Sequence, residues 1–160
     1  MYRISILAVG RLKEKYLAEG SAEYLKRLTP YARVEVHEVR DEGFSDNPSP
    51  AECVQVKETE GGRLLKHLRR DTCLIALDRR GRMYNSEEMA GVLEKLALEG
   101  KGDITFVIGG SLGLSKAVLD RANMLLSFSN FTFPHQLMRI VLLEQIFRWF
   151  KIARGEQYHR

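Results

Sequence analysis

The chain has 160 residues, 44% hydrophobic and 29% charged, with 13 glycines, 4 prolines and a net charge of +4. A chain of this length buries roughly 70% of the surface its unfolded form exposes, so it can hold a core without staples. Disorder, collagen-like repeats and a disulfide scaffold fit the composition poorly. Cys53 and Cys73 stand far apart with no Cys or His beside either, which excludes a sequence-local zinc knuckle and suits a reducing compartment. The first apolar run, Ile4–Val9, is short and meets Arg11 and Lys13 at once, unlike a signal peptide. No stretch approaches the ~18 apolar residues of a membrane span. The expectation is a cytoplasmic protein folded as one domain over residues 1–160, with no membrane and no metal partner.

Strand-like and helix-like segments alternate along the chain. Arg3–Val9 reads as a buried strand ended by Gly10, and Glu14–Leu28 as a helix with apolar residues near helical spacing. Val34, Val36 and Val39 mark a second strand, which runs into Asp41–Pro50, a Gly/Asn/Pro loop expected to be the most mobile part. Ala51–Leu68 reads as a polar, largely exposed helix, Cys73–Leu77 as a short strand, and Arg79–Gly81 as the turn after it. A helix beginning at Ser86 ends by Gly100. Ile104–Ile108 is a strand opening into Gly109–Gly113, and a short helix from Ser115, a strand near Met124–Phe128 and a long helix from Pro134 follow. This order predicts an α/β protein with a mainly parallel sheet covered by helices on both faces. Ligands in such sheets bind beyond the carboxyl ends of strands, which directs attention to Leu77–Gly81, Gly109–Gly113 and Phe128–Pro134.

Charge is unevenly placed: basic blocks at Arg63–Arg82 and Arg139–Arg160 enclose a more acidic segment. They form either a phosphate-attracting patch or ordinary solvated helix faces. The glycine loop matches neither the dinucleotide fingerprint nor the P-loop, since Lys116 follows Ser115 in the wrong frame. It is a tight turn, or a place where backbone approaches a ligand closely. Phe128–Phe133 alternates aromatic and small polar residues, as in an edge strand or as in the wall of a site for an uncharged aromatic ring. Leu137–Ala153 is apolar almost all round, which predicts that it buries one side on its own domain and another on a partner. Glu144, Arg148 and Lys151 form its expected solvent stripe. Arg139 lies off that stripe, paired at an interface or aimed at a site near the helix start. The tail after Gly155 is either frayed or functional.

Leu74–Asp78 (LIALD), Phe106–Gly113 (FVIGGSLG), Leu126–Arg139 (LSFSNFTFPHQLMR) and Gly155–Arg160 (GEQYHR) together resemble the RlmH family of SPOUT, or α/β-knot, methyltransferases. PHQLMR and the terminal YHR are the most specific parts of a resemblance that covers essentially the whole chain. It implies a C-terminal trefoil knot, against the usual rule that chains do not thread loops. It also implies S-adenosylmethionine as cofactor, a homodimer, and methylation of N3 of a pseudouridine in the 23S rRNA of the ribosome. The implied cofactor contacts are Leu77, Gly109, Phe128, Ser129, Asn130, Phe131, Thr132 and Phe133. His135 and Arg139 near the pocket, with Tyr158 and His159 in the tail, are the candidate catalytic or substrate-site residues. Arg63, Lys66, Arg69, Arg70 and Arg154 are the candidate RNA contacts. The rivals are a non-enzymatic RNA-binding module, a tRNA methyltransferase of the same superfamily, and a flavodoxin-like nucleotide binder.

Overall fold

The computed structural model describes residues 2–158. Tyr2–Val9 forms β1, Lys15–Leu28 α1, Ala32–Val39 β2, Pro50–Leu65 α2 and Cys73–Met83 β3. Ser86–Leu98 forms α3, Asp103–Ile108 β4, Lys116–Arg121 α4, Met124–Ser127 β5 and His135–Ala153 α5. The five strands make one sheet in the order β2-β1-β4-β3-β5, and every pairing is parallel.

Side-chain alternation along the strands divides the core in two. Ile4, Ile6, Ile75, Ile104 and Phe106 face α3 and α5, whereas Leu7, Val9, Leu74, Ala76 and Val107 face α2 and α4. Three helices start on side-chain caps: Ser49 accepts from the Glu52 amide, Ser115 from the Val118 amide, and Asn85 exchanges hydrogen bonds with Glu88 in a capping box.

Four expectations change. Arg79–Gly81 is no turn after a strand: β3 runs on to Met83, and its register against β5 jumps between Leu77 and Arg82, both of which pair with Leu126. Residues 78–81 therefore bow out of the ladder as a long bulge. Gly81 is where the bow closes on β5, since a Cβ there would lie 2.6 Å from the Leu125 carbonyl carbon. The 41–50 loop is tied down, through Arg63–Glu42 at 2.6 Å and through Ser45, which donates to Glu52 at 2.7 Å.

Much of the apolar girth of α5 is also covered inside one chain, because α1 and α3 flank the helix over the sheet, while Leu137 stays exposed and Met138, Ile140 and Val141 half-buried. The stripe of Glu144, Arg148 and Lys151 is about four-fifths covered rather than open to solvent. The chain turns back at Gly155 (φ +66°), with the Glu156 amide donating to the Lys151 carbonyl and the Gly155 amide to Ile152. That Schellman closure lays Tyr158 on Phe147 and hydrogen-bonds its hydroxyl to Glu144.

Candidate functional site: a cleft at three strand ends

A cleft of about 890 Å³ opens beyond the carboxyl ends of β3, β4 and β5. Its walls are the bow after Leu77, the glycine loop Gly109–Gly113, and the extended segment from Leu126 to Phe133 that leads into α5. All eight residues named as cofactor contacts line it, as does His135. They converge because parallel strands deliver their loops to one edge of the sheet.

The chemistry of the lining is mixed. Phe128, Phe131 and Phe133 supply aromatic surface, with Phe131 80% exposed, while the glycine loop supplies bare main chain. The loop is a narrow hairpin: Gly110 and Gly113 bridge it, and a Cβ on Gly109 would lie 2.7 Å from the Gly113 carbonyl carbon. Ser129 steadies the aromatic segment by accepting from the Phe131 amide at 2.9 Å. Arg79 reaches across the cleft to donate to Thr132 at 3.1 Å, linking the bow to that segment. This donor set suits a ligand with a neutral planar ring held by main-chain groups, and no phosphate cradle is present among the described residues.

Three titratable groups of the lining are perturbed: Asp78, its partner Arg80, which the Asp78 carboxylate raises further, and His135. Burial pushes Asp78 up, but hydrogen bonds from the Arg80 side chain and main chain outweigh it and hold the carboxyl below its ordinary range. Burial lowers His135, Asp41 opposes that shift and Arg139 adds to it, so the imidazole is neutral at physiological pH. A neutral imidazole in a cleft can accept a proton.

The remaining candidates are dispersed. Arg139 is 5% exposed; it donates to Glu38 at 2.6 Å and to the Gly10 carbonyl at 3.3 Å, locking the start of α5 onto the ends of β1 and β2. It is outside the lining of the cleft. Tyr158 lies level with Glu144, roughly 14 Å along α5 from His135 at ~1.5 Å per residue. Burial, then Tyr24 and Glu144, push its phenol up to about 12, so it stays protonated at neutral pH. His159 lies outside the described residues. Among the candidate RNA contacts, Arg63 is paired with Glu42, and Arg69 bonds Asp103 twice and Ser5 once. Lys66, Arg70 and Arg154 are exposed, Arg154 lying over the Tyr31 ring.

Asp78, Arg79 and Arg80 fall within the Leu77–Gly81 span expected to meet a ligand, and they line the cleft. Lys57 of α2 also lines it and gave no signal in the sequence.

The family model described as predicted SPOUT methyltransferase matches residues 2–159. "Ribosomal RNA large subunit methyltransferase H" of Pelotomaculum thermopropionicum is 64% identical over 159 residues, 99% of each chain. The protein of the same name from Desulforamulus reducens is 57% identical over the full length of both chains. A probable methyltransferase of Bordetella pertussis superposes with a TM-score of 0.53 at 15% identity, covering 96% of this chain and 95% of that one. A probable methylase family protein of Haemophilus influenzae gives 0.52 at 15% identity, covering 99% and 70%. Sheet order, strand-end cleft and these likenesses define an α/β-knot methyltransferase. Within that class, the chain belongs to the RlmH family, as its full-length identity to the large-subunit methyltransferases H requires.

Among the described residues no helix is long and apolar enough to cross a membrane, and no group of three or more His, Cys, Asp or Glu is placed to hold a metal.

Proposed function

We propose that this protein methylates N3 of a pseudouridine in 23S rRNA of the large ribosomal subunit, with S-adenosylmethionine as donor, and that it works as a homodimer. The observation that carries the reading is the convergence of Leu77, Gly109 and Phe128–Phe133 on one cleft whose walls are aromatic rings and main chain. The donor's adenine is an uncharged ring and the molecule has no phosphate, so the missing anion cradle is in keeping with it. When bound, the donor supplies a methyl group on a sulfonium.

The protein's own contribution is alignment and proton handling. Bringing the acceptor in line with the methyl carbon converts an encounter into a positioned displacement. Pseudouridine N3 carries a proton that must leave as the N–C bond forms. Neutral His135 in the cleft is the group best suited to receive it. Tyr158, protonated and remote from its own cleft, fits the role of a hydrogen-bond donor to the substrate carbonyls in the partner's cleft. Arg139 is read as holding the start of α5 in place of a catalytic role. Lys66, Arg70 and Arg154 remain available to rRNA phosphates.

Exposed Phe131, Phe133 and Leu137 beside the cleft support a surface completed by a second chain and by RNA. Mass mapping of 23S rRNA from cells with and without the protein tests the reading. One pseudouridine should lose 14 mass units, about the difference of one CH₂, when the protein is absent. An unchanged map, or methylation of free tRNA instead of ribosomes, would reject it.

A further inference from the structure

Glu60 presents a physical problem that the function does not absorb. It sits on α2, only 4% exposed, behind the glycine loop. Oε2 accepts from the Glu42 amide at 3.0 Å, whereas Oε1 is buried without a hydrogen-bond partner. A Cβ on Gly110 would lie 3.1 Å from Oε1 and 3.2 Å from Oε2, so the carboxyl presses against the side of Gly110 that carries no side chain. Gly110 itself lines the cleft, as does Lys57 one turn earlier on α2. An uncompensated buried oxygen is costly and calls for a purpose.

The charges of the cleft suggest one. Lys57, Arg79 and Arg80 line it, and among the described residues the only acid in the lining is Asp78, whose charge is taken up by Arg80 at 3.1 Å. A cationic ligand entering such a site meets an excess of positive charge. Glu60 is the acid that can reverse this from behind the loop, because Gly110 interposes main chain and no side chain.

Resting on the cofactor reading above, we propose that Glu60 is a buried countercharge that makes the cleft prefer the sulfonium cofactor over its neutral thioether product. Burial in this low-dielectric position strengthens its pull on a nearby cation. It also raises its affinity for a proton, an effect to which Asp41 and Glu42 of the loop after β2 add and which Arg63 of α2 and the Glu42 amide oppose. Loss of the methyl removes the attraction, which speeds exchange of spent for fresh cofactor.

Calorimetric titration of the full-length protein with S-adenosylmethionine and with S-adenosylhomocysteine tests this. In E60Q, S-adenosylmethionine should bind about tenfold more weakly, equivalent to about 1.4 kcal/mol, while S-adenosylhomocysteine binds as before; E60D should restore the preference. Equal weakening of both ligands, or none, overturns the proposal. Should E60Q not fold, the wild-type preference for S-adenosylmethionine over S-adenosylhomocysteine, followed from neutral pH down through the carboxylate range, decides: it should fall as Glu60 takes up a proton, and a preference that does not change with pH overturns the proposal. Failure of wild-type protein to bind either compound would instead remove the cofactor reading.

Discussion

Arg139 shows how burial reassigns a residue. In the sequence it is an arginine near a helix start, equally suited to a site and to an interface. In the fold it is 5% exposed and ion-paired with Glu38. Its replacement leaves Glu38, which is partly exposed, and the Gly10 carbonyl without a donor. Arg139→Ala should therefore lower stability by about 2–4 kcal/mol, read as a shift in the urea midpoint. An unchanged midpoint with lost activity would restore the catalytic reading.

His135 makes the opposite case, since burial leaves it in the cleft and keeps it neutral. With its folded value below the ordinary ~6.5, the acid limb of kcat/KM should fall at a pH lower than a free imidazole would give. The sign for stability follows. The neutral form's contribution is full above the unfolded value and declines as pH drops through the folded one. An acid limb at or above ~6.5 would show that His135 is not the titrating base.

At the scale of elements, the bow in β3 decides the shape of the cleft. Residues 78–81 leave the ladder and return, and Gly81 makes the return possible by letting the chain touch β5. A methyl group there would meet main chain and no flexible side chain that could move aside. Gly81→Ala should cost about 1–3 kcal/mol and weaken cofactor binding, because β5 feeds directly into the aromatic wall. Thermal unfolding with and without S-adenosylmethionine measures both effects, and full cofactor stabilisation in the variant would contradict this account. Short runs of Ile, Leu and Val made the strands legible, and Ser86, Ser115 and Pro134 marked three of the helix starts to within a residue. The bow was not legible, because a D-R-R-G run reads as a turn unless one knows that a fifth strand returns to pair across it.

For the molecule as a whole, the distance between tail and cleft is the informative quantity. Tyr158 is held beside Glu144, well down α5 from the cleft of its own chain. If tail and cleft act together, they belong to different subunits of the proposed homodimer. Protein lacking residues 158–160, mixed with protein whose cleft is blocked by Gly109→Val, should regain activity on ribosomes that neither has alone. Random exchange makes half of the dimers mixed and each mixed dimer holds one complete site of two, so up to about a quarter of wild-type activity is expected at full exchange. No recovery after subunit exchange would place the complete site within one chain.

The sequence by itself determined the parallel α/β architecture, the strand ends where the cleft opens, and the family, because periodicity, turn residues and short motifs are local properties. Through the family resemblance it also pointed to eight residues that line the cleft. Only the tertiary structure decided which charges are free: Arg63, Arg69 and Arg139 look alike in a one-letter string, yet each is committed to a carboxylate brought from elsewhere in the chain. The same holds for Glu60, which belongs to a helix that reads as polar and exposed and is buried because α2 packs against the glycine loop. Burial and pairing are set by segments distant in sequence, and no local pattern records them.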